Sequence, residues 1–322
     1  MTTTNLEKRE LGKTGIKITP IGLGAMQFSG GSMGKMMFED IDQERMNSIV
    51  KAALDGGISW FDTAEMYGRG RSEAGLSNAL QSAGIADKEV GIATKWFPVL
   101  RSSRNIQVTI NDRIKFLYPY SIDLYQVHNP MSFSTPEDEM NAMADLVEKG
   151  LIRSVGVCNF SALYMRRAHK ALEMRGLTLA SNQVQYSLLN RKIESSGVLE
   201  TAKEIGITII AWSPLASGLL SGKFHKDPGL LARTPFGRRM MLKRKVSRSF
   251  DLVRLLDQIA EKYNVTTSQV ALNWLINYHG DTVVAIPGAS KVHHAEEAAG
   301  VMKFRLPDDD MAMIEEASRM FV

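Results

Sequence analysis

The sequence predicts an α/β fold in which eight parallel strands close into a (β/α)8, or TIM, barrel. Short apolar, β-branched runs recur eight times along the 322 residues, and each is followed by a longer amphipathic stretch. Such runs are typical of parallel strands that are buried on both faces. The strand–helix alternation indicates a parallel α/β fold, and eight repeats favour a closed barrel over an open sheet.

The glycine spacing supports the barrel, because an open dinucleotide-binding sheet would carry G-x-G-x-x-G after its first strand. Residues 22–27 (GLGAMQ) lie in and directly after the first predicted strand, and they lack the third glycine. Residues 68–73 (GRGRSE) end on a glutamate where that glycine would stand. A Rossmann fold is therefore not expected.

The elements are predicted in chain order, as one domain over residues 1–322. A hairpin over residues 8–19 precedes the barrel. The strands are predicted at residues 21–25, 58–63, 90–95, 122–128, 154–159, 180–185, 207–213 and 282–288. Individual helices are predicted at residues 42–55, 72–83, 136–149, 162–175, 195–205, 291–300 and 308–320. Residues 213–249 form the longest irregular segment, which we interpret as a functional loop.

Composition narrows the class of protein. Hydrophobic residues make up 44% of the chain and charged residues 23%, which is ordinary for a globular protein. The single cysteine, Cys158, excludes a disulfide framework, and no metal site is expected. The N-terminus carries no apolar run, and no stretch approaches the ~18 apolar residues of a membrane span. We expect a cytoplasmic, soluble protein without a membrane partner, whose oligomeric state the sequence leaves open.

A basic segment spans residues 223–248, with nine Lys or Arg and one Asp, although the whole chain carries a net charge of only +4. A solvated surface is one interpretation. Nucleic-acid binding is not favoured, because aromatic residues are not interleaved with the charges and no nucleic-acid-binding signature is present. The third interpretation is a loop that grips the phosphates of a cofactor.

Ionisable residues end three consecutive predicted strands, and they are Asp62, Lys95 and His128. The intervals between them are equal, at 33 residues each, which predicts equivalent heights at the carboxyl end of the barrel. A structural ion pair beside a solvated histidine is the alternative. Three such residues in register favour a catalytic site.

Tyr67 follows Asp62 in the loop after the second predicted barrel strand. A phenol has an ordinary pKa of ~10, and a neighbouring ammonium would lower it. We expect Lys95 to have this effect, with Asp62 holding Lys95 protonated and His128 directing a substrate oxygen toward Tyr67. These residue types suit proton donation to an oxygen that gains negative charge, as in carbonyl reduction.

These residues lie within a set of longer motifs that extend over nearly the whole chain. The motifs are FDTAEMYGRGRSE, IATKWF, LYQVHNP, SVGVCNFS, NQVQYSLLNR, AWSPLASGLLSGK and IPGASK. With them the sequence resembles the aldo-keto reductase superfamily, most closely its bacterial branch related to potassium-channel β subunits. The resemblance implies a barrel that binds NADPH, rather than NADH, without a Rossmann motif. It also implies hydride transfer to a small aldehyde or ketone.

The resemblance assigns roles residue by residue. Tyr67 would be the general acid, Lys95 and Asp62 its tuning pair, and His128 the residue that orients the substrate. The positions that match cofactor-binding residues are Gly24, Met26, Asp62, Asn159, Gln183, Trp212, Ser213, Leu215, Gly218, Lys223, Gly288, Ser290, Lys291 and Glu297. His294 and Ala298 depart from the branch pattern at the adenine end of that site.

The substrate pocket is expected to draw on the loops around the tetrad. Its predicted residues are Phe28, Met66, Trp96, Phe97 and Asn129, with residues 29–37, 130–133 and parts of 213–248. Two other functions stay open at this point. One is a regulatory or scaffold protein that binds a nicotinamide cofactor with little turnover. The other is a serine hydrolase that uses Ser32 of the G-x-S-x-G match at residues 30–34.

Overall fold

The computed structural model describes residues 7–30, 40–233 and 236–322, and across these residues a parallel eight-stranded sheet forms the centre. A short antiparallel hairpin precedes it. The hairpin strands are β1 (Arg9–Glu10) and β2 (Lys17–Ile18). The strands of the sheet are β3 (Leu23–Gly24), β4 (Trp60–Asp62), β5 (Gly91–Trp96), β6 (Leu124–Val127), β7 (Ser154–Cys158), β8 (Leu179–Gln185), β9 (Thr208–Trp212) and β10 (Val283–Ala285).

The sheet closes into a barrel through its first and last strands. Strands β3 to β10 pair in chain order, and parallel bridges then join Ile21 to Ala285 and Gly24 to Gly288. The Gly22 amide donates to the Ala285 carbonyl at 2.9 Å, and the Gly24 amide donates to the Pro287 carbonyl at 3.1 Å. The predicted (β/α)8 architecture is therefore confirmed.

Helices surround the strands in the described residues: each of the seven predicted helices lies within three residues of its expected bounds, and six further helices were not predicted individually. Their bounds are α1 (Gln43–Asp55), α2 (Arg71–Ser82), α3 (Arg104–Leu117), α4 (Pro136–Glu148), α5 (Ala162–Glu173), α6 (Val198–Ile205), α7 (Lys223–Lys226), α8 (Pro228–Ala232), α9 (Phe236–Arg248), α10 (Phe250–Tyr263), α11 (Thr267–Asn277), α12 (Val292–Gly300) and α13 (Asp308–Ser318).

Side-chain caps explain several helix starts. Asp42 accepts a hydrogen bond from the Arg45 amide before α1, and Thr135 forms a capping box with Asp138 at the start of α4. The helix predicted over residues 195–205 instead begins at Val198, because the preceding Gly197 adopts a left-handed conformation at φ 77°.

The segment predicted as a long irregular loop, residues 213–249, is largely helical, and that prediction was wrong. Helices α7, α8 and α9 occupy most of it, after a short 3-10 segment over Ala216–Ser221. Lys and Arg are good helix formers, so a basic run is compatible with a helix. One helical turn also brings Leu242 and Val246 to the same face of α9, where they pack in a small apolar cluster with Leu219 and Phe224.

The hairpin covers the amino-terminal end of the barrel. Leu11, Ile16 and Ile18 are buried against the strand residues Trp60 and Leu124. With that end closed by apolar packing, the carboxyl ends of the strands are the open face of the barrel. No helix in the described ranges is long and apolar enough to cross a membrane.

Candidate active site

The carboxyl ends of three neighbouring strands bring Asp62, Lys95 and His128 together. Asp62 ends β4, Lys95 is the penultimate residue of β5, and His128 follows β6 directly. The strands pair in register, with Asp62 beside Ala93 and Lys95 beside Gln126. The equal sequence intervals therefore correspond to similar heights at the mouth of the barrel.

Lys95 and Asp62 form a buried ion pair. The Lys95 Nζ lies 2.5 Å from Asp62 Oδ1 and donates a second hydrogen bond to the Thr63 carbonyl at 2.7 Å. Burial acts to lower the pKa of Lys95, but the Asp62 carboxylate, together with Tyr67 and Cys158, outweighs it and holds that pKa above its ordinary value. Lys95 is therefore a fixed positive charge at the centre of the site.

Two buried amides bind the other oxygen of Asp62. Gln183 Nε2 donates to Asp62 Oδ2 at 2.9 Å, and Gln126 Nε2 donates to the same atom at 3.3 Å. Gln126 was missed in the sequence analysis. It belongs to β6 and lies two residues before His128. Because every second side chain of a strand points to the same face, both residues lie on the barrel interior. That alternation is the signal that would have identified it.

Tyr67 lies beside this pair, in the loop between β4 and α2. The Lys95 Nζ is 5.0 Å from the centre of the Tyr67 ring, and the His128 ring meets the tyrosine edge-on at 5.8 Å. Burial raises the pKa of Tyr67 above its ordinary value, although the Lys95 charge acts in the opposite direction. The expectation of a lowered pKa was therefore wrong, because the cost of burying a phenolate exceeds the attraction of Lys95.

His128 is a neutral side chain in this setting. Burial, together with the positive charge of Lys95, lowers the pKa of His128 to about 3. Its Nδ1 is buried and has no hydrogen-bond partner among the described residues. The Phe97 ring packs against the imidazole at 6.4 Å. A neutral imidazole can donate one hydrogen bond and accept another.

The five predicted pocket residues separate into two groups. Met66 is exposed, and Phe97 and Asn129 are partly exposed, at the loops around the tetrad. Phe28 and Trp96 are completely buried in the main core, so their assignment to the pocket was wrong. Trp96 follows Lys95 on β5 and therefore faces the helix layer, where its Nε1 donates to Asn105 of α3 at 3.1 Å.

Parts of the predicted pocket wall, residues 31–37, lie outside the described residues. Ser32, the nucleophile of the hydrolase alternative, is among them.

Asn159 and Trp212 meet at the rim of the barrel. The Trp212 Nε1 donates to Asn159 Oδ1 at 3.0 Å, and Asn159 Nδ2 donates to the His128 carbonyl at 3.4 Å. Asn159 adopts a left-handed backbone conformation at φ 59° and is exposed, while Trp212 is partly exposed. Gln183, another predicted cofactor-binding residue, is buried, and its Nε2 donates to Asp62.

The other predicted cofactor residues follow adjacent strands of the closed barrel. Those in β3 or just beyond it are Gly24 and Met26. Those after β9 are Ser213, Leu215, Gly218 and Lys223. Those after β10 are Gly288, Ser290, Lys291 and Glu297. Because β9, β10 and β3 are neighbours in the barrel, the three groups lie on one side of its mouth.

Basic side chains act electrostatically on His294 on this side of the barrel. Burial lowers the pKa of His294 to about 4, and electrostatic interactions with His293, Lys223, Lys291 and Arg45 add to the effect. Arg45 belongs to α1 and Lys223 to α7, so the cluster is assembled from distant parts of the chain. The sequence analysis missed Arg45 and His293. A site that repels the protonated form of a histidine in this way suits an anion such as a phosphate.

Comparison with known proteins agrees with this geometry. Residues 20–319 match the model of the Aldo/keto reductase family. The chain belongs to the aldo/keto reductase family. The resemblance to the aldo-keto reductase superfamily is thereby confirmed, while the branch related to potassium-channel β subunits stays a prediction. The protein is an oxidoreductase of the class that reduces carbonyl groups.

Curated relatives match nearly the whole chain. The chloroplastic pyridoxal reductase of Arabidopsis thaliana is 30% identical over 320 residues, spanning 94% of this chain and 86% of that protein. The Schizosaccharomyces pombe aldo-keto reductase yakc, whose name specifies NADP(+), is 30% identical over 316 residues, spanning 93% of this chain and 88% of that protein.

A solved aldo/keto reductase shares the fold. The crystal structure of the thermostable aldo-keto reductase Tm1743, in complex with the inhibitor epalrestat, superposes with a TM-score of 0.77. It is 29% identical, and the match covers 97% of this chain and 99% of that one. The agreement therefore extends over the complete barrel.

Proposed function

We propose that this protein reduces an aldehyde or ketone to an alcohol, with NADPH as the hydride donor and Tyr67 as the proton donor. The observation that carries the proposal is the position of Tyr67 next to both the Lys95 ammonium and the His128 imidazole at the barrel mouth. Bound NADPH would supply a hydride to the carbonyl carbon.

Tyr67 enters the reaction as a neutral phenol. Its pKa is raised by burial, so the proton is present throughout the neutral range and is available to the substrate oxygen. After the proton is transferred, the phenolate is stabilised by the Lys95 ammonium beside the ring. Lys95 therefore acts mainly on the product side of the proton transfer.

Asp62 keeps Lys95 charged and in position to stabilise the Tyr67 phenolate. The buried carboxylate keeps Lys95 charged, and the hydrogen bond from Lys95 to the Thr63 carbonyl fixes the direction of the side chain. Gln183 and Gln126 satisfy the second carboxylate oxygen and keep Asp62 oriented toward Lys95. A buried ion pair that is satisfied in this way does not reorganise during the reaction.

His128 orients the substrate. A neutral imidazole next to Tyr67 can donate a hydrogen bond to the carbonyl oxygen without adding a second positive charge to the site. The oxygen would then lie between His128 and Tyr67, which is the geometry that proton transfer needs.

The residues around the mouth fit a dinucleotide phosphate. Asn159 presents a side-chain amide at the exposed rim, beside the Trp212 ring, and both suit the nicotinamide end. At the other end, Lys223, Lys291 and Arg45 gather around His294, which favours the additional phosphate of NADPH over NADH. The relative from Schizosaccharomyces pombe that is named for NADP(+) supports this choice.

The test is the consumption of NADPH across a panel of aldehydes and ketones, for the native protein and for Tyr67→Phe. A positioned general acid contributes roughly 10²- to 10⁴-fold, so Tyr67→Phe is expected to lose at least ~100-fold in kcat while its NADPH affinity stays within about twofold. Equal turnover in both proteins would remove Tyr67 as the proton donor.

Two other outcomes would contradict the proposal. Tight NADPH binding without turnover on any carbonyl would favour the regulatory alternative. Absence of NADPH binding would rule out the proposed cofactor site. The next experiment would then be an assay for hydrolase activity in the native protein and in Ser32→Ala, which should lose that activity if Ser32 is the nucleophile.

A further inference from the structure

Glu65 lies in the loop between β4 and α2, two residues before Tyr67, and it connects this loop to the one after β5. Its Oε2 accepts a hydrogen bond from the Phe97 amide at 2.9 Å, and its Oε1 accepts one from Arg101 Nη1 at 2.7 Å. The Glu65 amide also donates to the Lys95 carbonyl at 3.2 Å. The residue is thus bound to β5 through its backbone and to the loop after β5 through its side chain.

Arg101 extends the connection to a third loop. Its Nη1 donates to the Phe97 carbonyl at 3.2 Å as well as to Glu65, so the guanidinium also binds the main chain of its own loop. Its carbonyl accepts a hydrogen bond from the Phe133 amide at 2.8 Å. Phe133 belongs to the loop after β6, which begins with His128. Three loops at the barrel mouth therefore meet at the Glu65–Arg101 pair.

Burial makes this pair stronger than an ordinary surface ion pair. The Glu65 side chain is 13% exposed and that of Arg101 is 32% exposed, and a second cation, Arg113, lies 3.9 Å from the same Glu65 oxygen. Charge-assisted hydrogen bonds that are partly shielded from water hold their geometry better than exposed ones. The Arg166–Glu204 pair between α5 and α6, in contrast, is exposed on both sides.

We propose that Glu65 and Arg101 act as a pair of positioning residues, which hold Tyr67, Phe97 and the loop after His128 in one arrangement. The proposal rests on the proposed function, because it assigns these loops to the carbonyl site. Neither residue contacts the reacting atoms. Their effect is to fix the proton donor relative to the substrate wall.

The consequence is a loss of turnover that exceeds any loss of cofactor binding. The residues around His294 that suit the cofactor phosphate follow other strands, so loosening the three loops leaves them in place. A displacement of about 1 Å in a reacting group can cost ~100-fold in rate. Loss of the pair should also reduce the discrimination between large and small carbonyl substrates, since Phe97 belongs to the same connection.

The experiment compares Arg101→Met, Arg101→Lys and Glu65→Gln with Arg166→Met, which removes an exposed ion pair on the outside of the barrel. We expect Arg101→Met to lower kcat by roughly 10- to 100-fold, with NADPH affinity unchanged within about twofold. Arg101→Lys should recover part of the loss. An Arg101→Met protein that is folded and as active as Arg166→Met would overturn the proposal.

Hydrogen exchange tests the connection independently of turnover. In Arg101→Met, amide exchange should accelerate in residues 63–70 and 97–103, and also in residues 128–134, because the Arg101 main chain that accepts from the Phe133 amide is then held less firmly. Arg166→Met should leave all three segments unchanged. Acceleration confined to residues 97–103 would show that the loops are not coupled through this pair. If the native protein reduces no carbonyl, the proposed function fails, and the exchange pattern still decides whether the coupling exists.

Discussion

Lys95 and Asp62 form an ion pair with a nitrogen–oxygen distance of 2.5 Å, and neither side chain is more than 2% exposed. Removing one partner leaves the other charge buried without compensation, which typically costs about 3–5 kcal/mol. We therefore expect Lys95→Met and Asp62→Asn each to lower the free energy of unfolding by about that amount. The double variant should lose clearly less than the sum of the two.

Urea denaturation of the four proteins measures this double-mutant cycle. The native circular dichroism spectrum of each variant is the control for correct folding. Additive losses within about 0.5 kcal/mol would mean that the pair contributes no coupling energy.

The pH dependence of reduction should have no limb in the range where histidine ordinarily titrates. The pKa of His128 is lowered to about 3, so the residue stays neutral above that pH, and the pKa of Tyr67 is raised, so the phenol stays protonated. We expect kcat/KM to be flat between about pH 5 and 9 and to fall only at a pH above the ordinary phenol pKa of ~10, because the pKa of Tyr67 is raised. His128→Gln should lower the rate without changing the shape of the profile. An acidic limb near pH 6.5 that disappears in this variant would contradict a neutral His128.

Glu139 on α4 should make the protein less stable as the pH rises. Its side chain is buried, and burial raises its pKa to about 7, although a hydrogen bond with Ser132 opposes the shift. Glu139 ionises near pH 4.3 in the unfolded chain and only near pH 7 in the folded protein. Stability is therefore lost between these two pH values and stays low above them. Glu139→Gln cannot ionise and should be more stable than the native protein by roughly 1–3 kcal/mol at pH 8, with no gain at pH 4.

Chemical denaturation at both pH values measures the difference. Glu148→Gln on the same helix is the matched control, because Glu148 is half exposed and its ion pair with Arg175 is worth at most about 1 kcal/mol. A gain in Glu139→Gln that is the same at pH 4 and pH 8 would exclude ionisation as its cause.

His294 should make NADPH binding depend on pH. Its pKa is lowered to about 4 by burial and by His293, Lys223, Lys291 and Arg45, and a bound phosphate would raise it again. Binding then takes up a proton, so the affinity for NADPH should increase several-fold from about pH 8 to 6.5, a range above the second pKa of a phosphate. NADH, which lacks the additional phosphate, should show no such trend.

Fluorescence titration at a series of pH values measures both affinities. His294→Gln keeps a polar side chain of similar size and should abolish the trend for NADPH only. A trend of equal size in His294→Gln would assign the proton uptake to another group.

The positions of the strands and of the tetrad could be predicted from the sequence because both depend on the order of residues along short stretches of the chain. Buried parallel strands need continuous apolar runs, which are visible in the chain, and the equal spacing of Asp62, Lys95 and His128 reflects one strand–helix unit per interval. The pocket residues were harder. Trp96 follows Lys95 directly, and adjacent side chains of a strand point to opposite faces of the sheet. Lys95 therefore points into the barrel and Trp96 into the surrounding core, a direction that the residue types do not reveal.

The sequence by itself determined the barrel, the identity of the candidate acid and its neighbours, and the family, since these follow from residue types and their order along the chain. Only the tertiary structure decided the electrostatics, because a pKa depends on burial and on charges from remote segments. It reversed the expected shift of Tyr67, and it gathered Arg45 and Lys223 around His294. It also joined Glu65 to Arg101 across 36 residues of sequence, through contacts that no local pattern encodes.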